Sequence, residues 1–186
     1  MKTIEIIPGE NPLELLGRCG GYYERQNGSP LVGYAGRDAH GKQYVGMIYA
    51  NFAKAERHGP VLKHVAESLI QKFHEISALG NDFYGYGTHG DGFCAAPEGG
   101  KALAVTLATL TGGSYIFPEK EVTAVKTDTS RERSSLVWGR HEPQAGENWW
   151  IVEDVCNDLS TTEEMIRLIE GRSAKVLGII CFLNRS

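Results

Sequence analysis

Trp149-Trp150-Ile151-Val152-Glu153-Asp154-Val155-Cys156-Asn157-Asp158-Leu159-Ser160-Thr161-Thr162 is the stretch whose reading decides the fold of this chain. Its four leading apolar residues predict a buried strand, and Glu153-Asp154 stand at the carboxyl end of it. A short polar loop follows, then a helix. Ser160 is expected to cap that helix, with Glu163 completing an S-x-x-E capping box. Met165, Ile166, Leu168 and Ile169 supply its buried face, and Gly171 ends it. Strand, loop and helix in this order form the unit from which parallel α/β sheets are built.

Working outward, the same alternation recurs. Val176 to Leu183 is continuously apolar and predicts a final strand buried on both sides. Upstream, Asp91 to Ala96 reads as a short buried strand. Pro97-Glu98-Gly99-Gly100 turns it into a helix from about Lys101 to Leu110, which Gly112-Gly113 stops. Ser114 to Pro118 is the next strand. Pro60 opens a further helix, where its missing N–H costs nothing, and the helix ends near Gly80. Val61, Val65, Leu69 and Phe73 form its apolar stripe. Leu31–Ala35 and Tyr44–Tyr49 read as strands around a polar turn at 36–42. The stretch from Glu119 to Arg140 is polar and reads as a mobile hairpin. Trp149 and Trp150, alternating along one strand, must face opposite sides of the sheet.

A length of 186 residues suits one domain with a real core. The formal net charge of -4 excludes the broad basic field of duplex nucleic-acid binders, so no nucleic-acid partner is expected. No apolar run is long enough to span a bilayer, and the start, Met1-Lys2-Thr3-Ile4-Glu5, lacks a signal-peptide pattern. Cys19, Cys94, Cys156 and Cys181 have neither metal-ligand spacing nor a disulfide framework, which suits buried free thiols in the reducing cytoplasm. His58, His64 and His89 likewise lack metal-ligand spacing.

Two constellations carry chemistry. In open parallel sheets ligands bind beyond the carboxyl ends of the strands. Adjacent carboxylates after an apolar run are costly unless they meet solvent, a cation or hydroxyl groups. Glu153 and Asp154 therefore read as groups for ribose hydroxyls or for Mg²⁺, directly or through water. The bland alternative is a solvated strand end beside a helix cap. Second, loop amides with the hydroxyls of Ser160, Thr161 and Thr162 at a helix N-terminus suit an anion, though the same residues also cap helices that bind nothing.

Ile151-Val152-Glu153-Asp154-Val155, followed by a short loop and a helix, resembles the phosphoribosyl pyrophosphate (PRPP) motif of type I phosphoribosyltransferases, most of all the orotate group. The resemblance covers most of the chain. It implies an α/β core with a central parallel sheet flanked by helices, at about 56–186, and a small N-terminal β-rich hood at about 1–55, in a single domain over 1–186. It also implies Mg²⁺-dependent transfer of a phosphoribosyl group from PRPP to a nitrogen base, a pyrimidine such as orotate, with release of pyrophosphate. Glu153 and Asp154 would hold the ribose hydroxyls and the Mg²⁺ shell. Asn157-Asp158-Leu159-Ser160-Thr161 matches the 5′-phosphate loop, with Leu159 at the position of the family's glycine. Ala95 to Lys101 resembles the pyrophosphate loop, in which Glu98, Gly99 and Gly100 would present backbone groups. The Pro97–Glu98 bond is expected to be trans, because Glu98 is not proline. Phe117-Pro118-Glu119-Lys120-Glu121 resembles the strand end with a catalytic-site lysine, here Lys120. Residues 122–137 sit where the orotate group has its basic catalytic loop, which makes Arg131 and Arg133 candidates for the leaving group beside Lys101. Phe182-Leu183-Asn184-Arg185 resembles the strand end whose arginine meets an acidic base. A cytoplasmic homodimer is implied as well. Two alternatives stand beside this reading: a non-catalytic PRPP- or nucleotide-binding regulatory protein of the same fold, and a divergent enzyme using another phosphorylated sugar.

Overall fold

The computed structural model describes residues 4–78, 90–124, 133–156 and 159–184, and their contacts group the chain into two units, Met1–Leu62 and Lys63–Ser186. In the first, α1 (Pro12–Arg18) starts where the Asn11 side chain accepts a 2.8 Å hydrogen bond from the Leu13 amide, with proline in the first turn. β1 (Tyr22–Glu24) is followed by the hairpin of β2 (Val32–Arg37) and β3 (Gln43–Gly46), and β4 (Ile48–Ala50) returns to pair antiparallel with β1. The β2–β3 turn closes as the sequence predicts. The Asp38 carboxylate accepts from the amides of His40 and Lys42, each at 2.9 Å, and Gly41 takes the left-handed φ of +77°. A short α2 (Ala53–Glu56) follows, and α3 (Gly59–Ala78) opens with Pro60 in its first turn.

The second unit is the α/β core. β5 (Gly92–Ala95), α4 (Lys101–Thr111), β6 (Ser114–Ile116), the hairpin β7 (Pro118–Ala124) and β8 (Arg133–Trp138), β9 (Asn148–Cys156), α5 (Ser160–Glu170) and β10 (Lys175–Asn184) follow in order. Four strands form a parallel sheet in the order β10-β9-β5-β6. Alternation along β9 sorts its side chains by face. Trp149 and Ile151 join Cys94, Ile116, Leu136, Met165 and Ile169 in one buried cluster beneath α5. On the other face, Trp150 meets Phe73 of α3 edge-on, with centroids 5.0 Å apart, and α4 packs on β5 and β9. The Leu136 amide donates to Glu164 Oε1 at 2.7 Å, which ties β8 to α5. Gly112, left-handed at φ +75°, terminates α4 as expected.

Three expectations are corrected. β10 is not buried on both sides. It is an edge strand paired only with β9 among the described residues, and Ile179 is 42% exposed. Its other apolar residues are half-buried, Val176 against the cluster beneath α5 and Ile180 at the cavity beside Trp150, and Gly178 lies so close to the Trp150 ring that a Cβ there would collide with it. The Pro97–Glu98 bond is cis rather than trans. Finally, Ser160 does not cap α5. Leu159 is the N-cap, and the Glu163 amide bonds to the Leu159 carbonyl at 2.9 Å, so Ser160 already lies within the helix. The Glu163 carboxylate pairs forward with Arg167 at 3.2 Å.

Candidate functional site

The acidic pair lies beyond the carboxyl end of β5, since Ala95 is the last β5 residue in register and its partner is Val152. Strand alternation sends the two carboxylates to opposite faces. Asp154 turns toward the loop before α4. Gly99 sits directly against its carboxylate, and a Cβ at that position would overlap it. Gly100 is equally close to the Val152 carbonyl. Backbone bonds hold the loop there: the Ala96 amide donates to Val152 O at 2.8 Å, and the Gly100 amide to Ala96 O at 3.0 Å. Glycine at both positions is thus a steric requirement for bringing the loop onto β9. Burial raises the Asp154 pKa above the ordinary carboxylate value, opposed by hydrogen bonding to backbone amides.

Glu153 turns to the α5 face and is buried, at 8% exposure. The hydroxyl of Thr162, 1% exposed, donates to its Oε1 at 2.9 Å. The expectation that the Thr162 hydroxyl serves an anion beside those of Ser160 and Thr161 is corrected: it is buried and bonded to Glu153. Its signal was its place on the buried stripe of α5, three residues before Met165 and seven before Ile169. The loop between strand and helix ends on Leu159, which takes φ +59°, the left-handed conformation that glycine favours. Ser160 is exposed and Thr161 half-buried in the first turn that follows.

Around the other loop, the Lys101 ammonium lies 3.0 and 2.9 Å from the two Glu98 carboxylate oxygens and 4.5 Å from the centroid of the Phe117 ring. Lys120 is exposed on β7, paired in register with Leu136. Arg133 begins β8 in register with Ala124. The two ends of the 122–137 stretch are therefore strand-paired. Arg131, Arg185, Asn157 and Asp158 lie outside the described residues.

The structure thus brings Asp154, Gly99, Gly100, Lys101, Glu98 and the start of α5 to the carboxyl side of the sheet. Among the described residues no group of three or more His, Cys, Asp or Glu side chains is placed to cage a metal. A cavity of about 500 Å³ lined by Phe73, Phe93, Leu107, Leu110 and Trp150 lies elsewhere, where β5 and β6 begin. It holds none of the acidic pair. The four cysteines are free, with Cys94 and Cys156 buried, and burial pushes both thiols up to about 12. No described helix is long and apolar enough to cross a membrane.

No protein-family profile matches the sequence, and no curated protein resembles it at the sequence level. Solved structures do match. UMP synthase from Leishmania donovani superposes with a TM-score of 0.64 at 14% identity, covering 94% of this chain and 31% of that one. The chain therefore spans about a third of that protein's length. Orotate phosphoribosyltransferase from Aeropyrum pernix gives 0.58 at 11% identity, covering 92% of each chain. Adenine phosphoribosyltransferase from Thermoanaerobacter pseudethanolicus gives 0.55 at 17% identity, covering 82% and 80%. At these identities the likeness is one of fold, an α/β core with a central four-stranded parallel sheet flanked by helices.

Proposed function

We propose that this chain, whose fold is that of the type I phosphoribosyltransferases, transfers a phosphoribosyl group from PRPP to a nitrogen base and releases pyrophosphate. The observation that carries the reading is the seating of Gly99 against a half-buried Asp154 carboxylate at the carboxyl side of the sheet. A desolvated carboxylate facing a bare backbone loop is kept at a cost unless a ligand uses it. Ribose hydroxyls are a fitting partner. In the transfer, the bond from C1′ to the pyrophosphate oxygen breaks and the bond to the base nitrogen forms, and the base loses its proton. Charge grows on the ribose ring and on the leaving group, so positioning and electrostatics supply the catalysis.

Asp154 binds and orients the ribose. Glu98, Gly99 and Gly100 offer backbone groups to the pyrophosphate, with Lys101 as a nearby cation. Ser160 and Thr161, with the amides behind Leu159, receive the 5′-phosphate. Lys120, Arg131 and Arg133 are assigned to the leaving group, and Arg185 to an acidic base. Asp154 would hold Mg²⁺ directly or through water, with the substrate phosphates as its other ligands, the usual mode for this ion. When bound there it would neutralise pyrophosphate charge.

The neighbours include orotate and adenine enzymes alike, so the pyrimidine expectation widens to a nitrogen base, with orotate and adenine the first to test. A second reading, a PRPP- or nucleotide-binding protein without turnover, is favoured by one observation: the loop cation Lys101 is already paired with Glu98. The test is PRPP-dependent nucleotide formation with each base. Wild type turns over and Asp154→Asn falls about 100-fold or more while remaining folded. Equal turnover by the two proteins removes Asp154 from the site. PRPP binding without turnover selects the second reading.

A further inference from the structure

The sequence pairs Glu153 with Asp154, and the structure separates them. They point to opposite faces of β9, and Glu153 is buried beneath α5 with one oxygen taken by an equally buried threonine. We propose that Glu153 is a positioning residue rather than a ligand to substrate or metal, and that with Thr162 it forms an internal tether setting where α5 begins. This inference rests on the reading of the site as a PRPP site.

Three observations carry it. The bond between Thr162 Oγ1 and Glu153 Oε1 spans nine positions, from the strand end to the first turn of α5. Fixing Thr162 against Glu153 fixes the first turn of α5, whose amides an anion site needs in place before its ligand arrives. The carboxylate lies beside the first turn of α5, where the helix dipole favours negative charge, so the tether is charge-assisted as well as buried. Finally, Leu159 holds a left-handed φ of +59° with no glycine to ease it. A side chain keeps that conformation where its surroundings over-determine it, and the tether, three residues beyond Leu159, is such a restraint. Asp154 alone is then left to face the ribose.

The test uses the buried threonine, which at 1% exposure is shielded from any ligand in the site. PRPP is titrated calorimetrically, with Mg²⁺, into wild type, Thr162→Val, Thr162→Ser, Glu153→Ala and the Thr162→Val/Glu153→Ala double variant. The expected result is a tenfold or greater loss of affinity for Thr162→Val and for Glu153→Ala. The double variant is no weaker than Glu153→Ala, and Thr162→Ser, which restores the hydroxyl, stays within about threefold of wild type. If Thr162→Val binds like wild type while Glu153→Ala loses affinity, Glu153 meets the ligand itself and the tether is overturned. Losses that multiply in the double variant overturn it too. Should Thr162→Val fail to fold, Thr162→Ala, which also removes the hydroxyl, takes its place: a tenfold or greater loss supports the tether and affinity equal to wild type overturns it. A wild-type protein that binds no PRPP instead overturns the reading of the site, and the tether's role with it.

Discussion

Asp154 is a charge kept in a place that resists charge. Burial raises its pKa above the ordinary carboxylate value, so the native state binds the proton more tightly than the unfolded chain does. Its ionised form therefore costs stability at every pH above the raised pKa. That cost fades as pH falls through the raised pKa toward the unfolded value of about 3.9. Asp154→Asn is thus expected to melt at a higher temperature than wild type at neutral pH, with the gap closing in acid, even as it loses PRPP. Thermal scans from pH 7 to pH 4 check this, and a variant that melts lower at neutral pH would count against a desolvated Asp154. Leu159 is the converse case, a side chain kept where the backbone favours none. At φ +59° and 37% exposed, it holds a conformation that costs a side chain free energy. Leu159→Gly is expected to gain about 1 kcal/mol in urea unfolding, less whatever glycine adds in unfolded-state entropy, and to keep PRPP affinity. A net loss of stability would mean that Leu159 packing outweighs the strain.

At the scale of elements, the unit that works is β9, its loop and α5, with the β7–β8 hairpin tied to it. The tie is the Leu136 amide on Glu164 Oε1 at 2.7 Å. Glu164→Ala leaves that amide without its partner, and a loss of about 1–2 kcal/mol in chemical denaturation is expected. Faster hydrogen exchange at Leu136 should accompany it; unchanged exchange would show that the hairpin is held by other contacts. The sequence made β9 and α4 legible because strand alternation, helix spacing and the Gly112 stop act locally. β10 was misread because an apolar run reports burial without saying how many neighbours a strand has, and only the strand order makes it an edge. α1 was passed over although Asn11-Pro12 announces it, and β1, at three residues, carries too little pattern to read. In the site, the acidic pair and the two glycines stood out from their spacing. Which carboxylate faces the loop depends on register, and spacing alone assigns the Thr162 hydroxyl to an anion because its partner, Glu153, stands nine positions away.

For the whole molecule, the sheet and its flanking helices belong to a fold shared with orotate and adenine enzymes at 11–17% identity, where the fold persists and the site must be argued from its own residues. The exposed apolar side chains Tyr44, Val45 and Met47 of the first unit suit association. A homodimer is expected by light scattering at micromolar concentration, and a monomer there would remove that expectation. The central claim is that the carboxyl side of the sheet still receives PRPP despite a leucine in its loop. Calorimetric titration of PRPP, with and without Mg²⁺, tests this most directly. Micromolar binding that weakens at least tenfold without the metal is the predicted result. Absence of binding in both conditions, by a protein shown to be folded, would contradict it and mean that the fold serves another ligand.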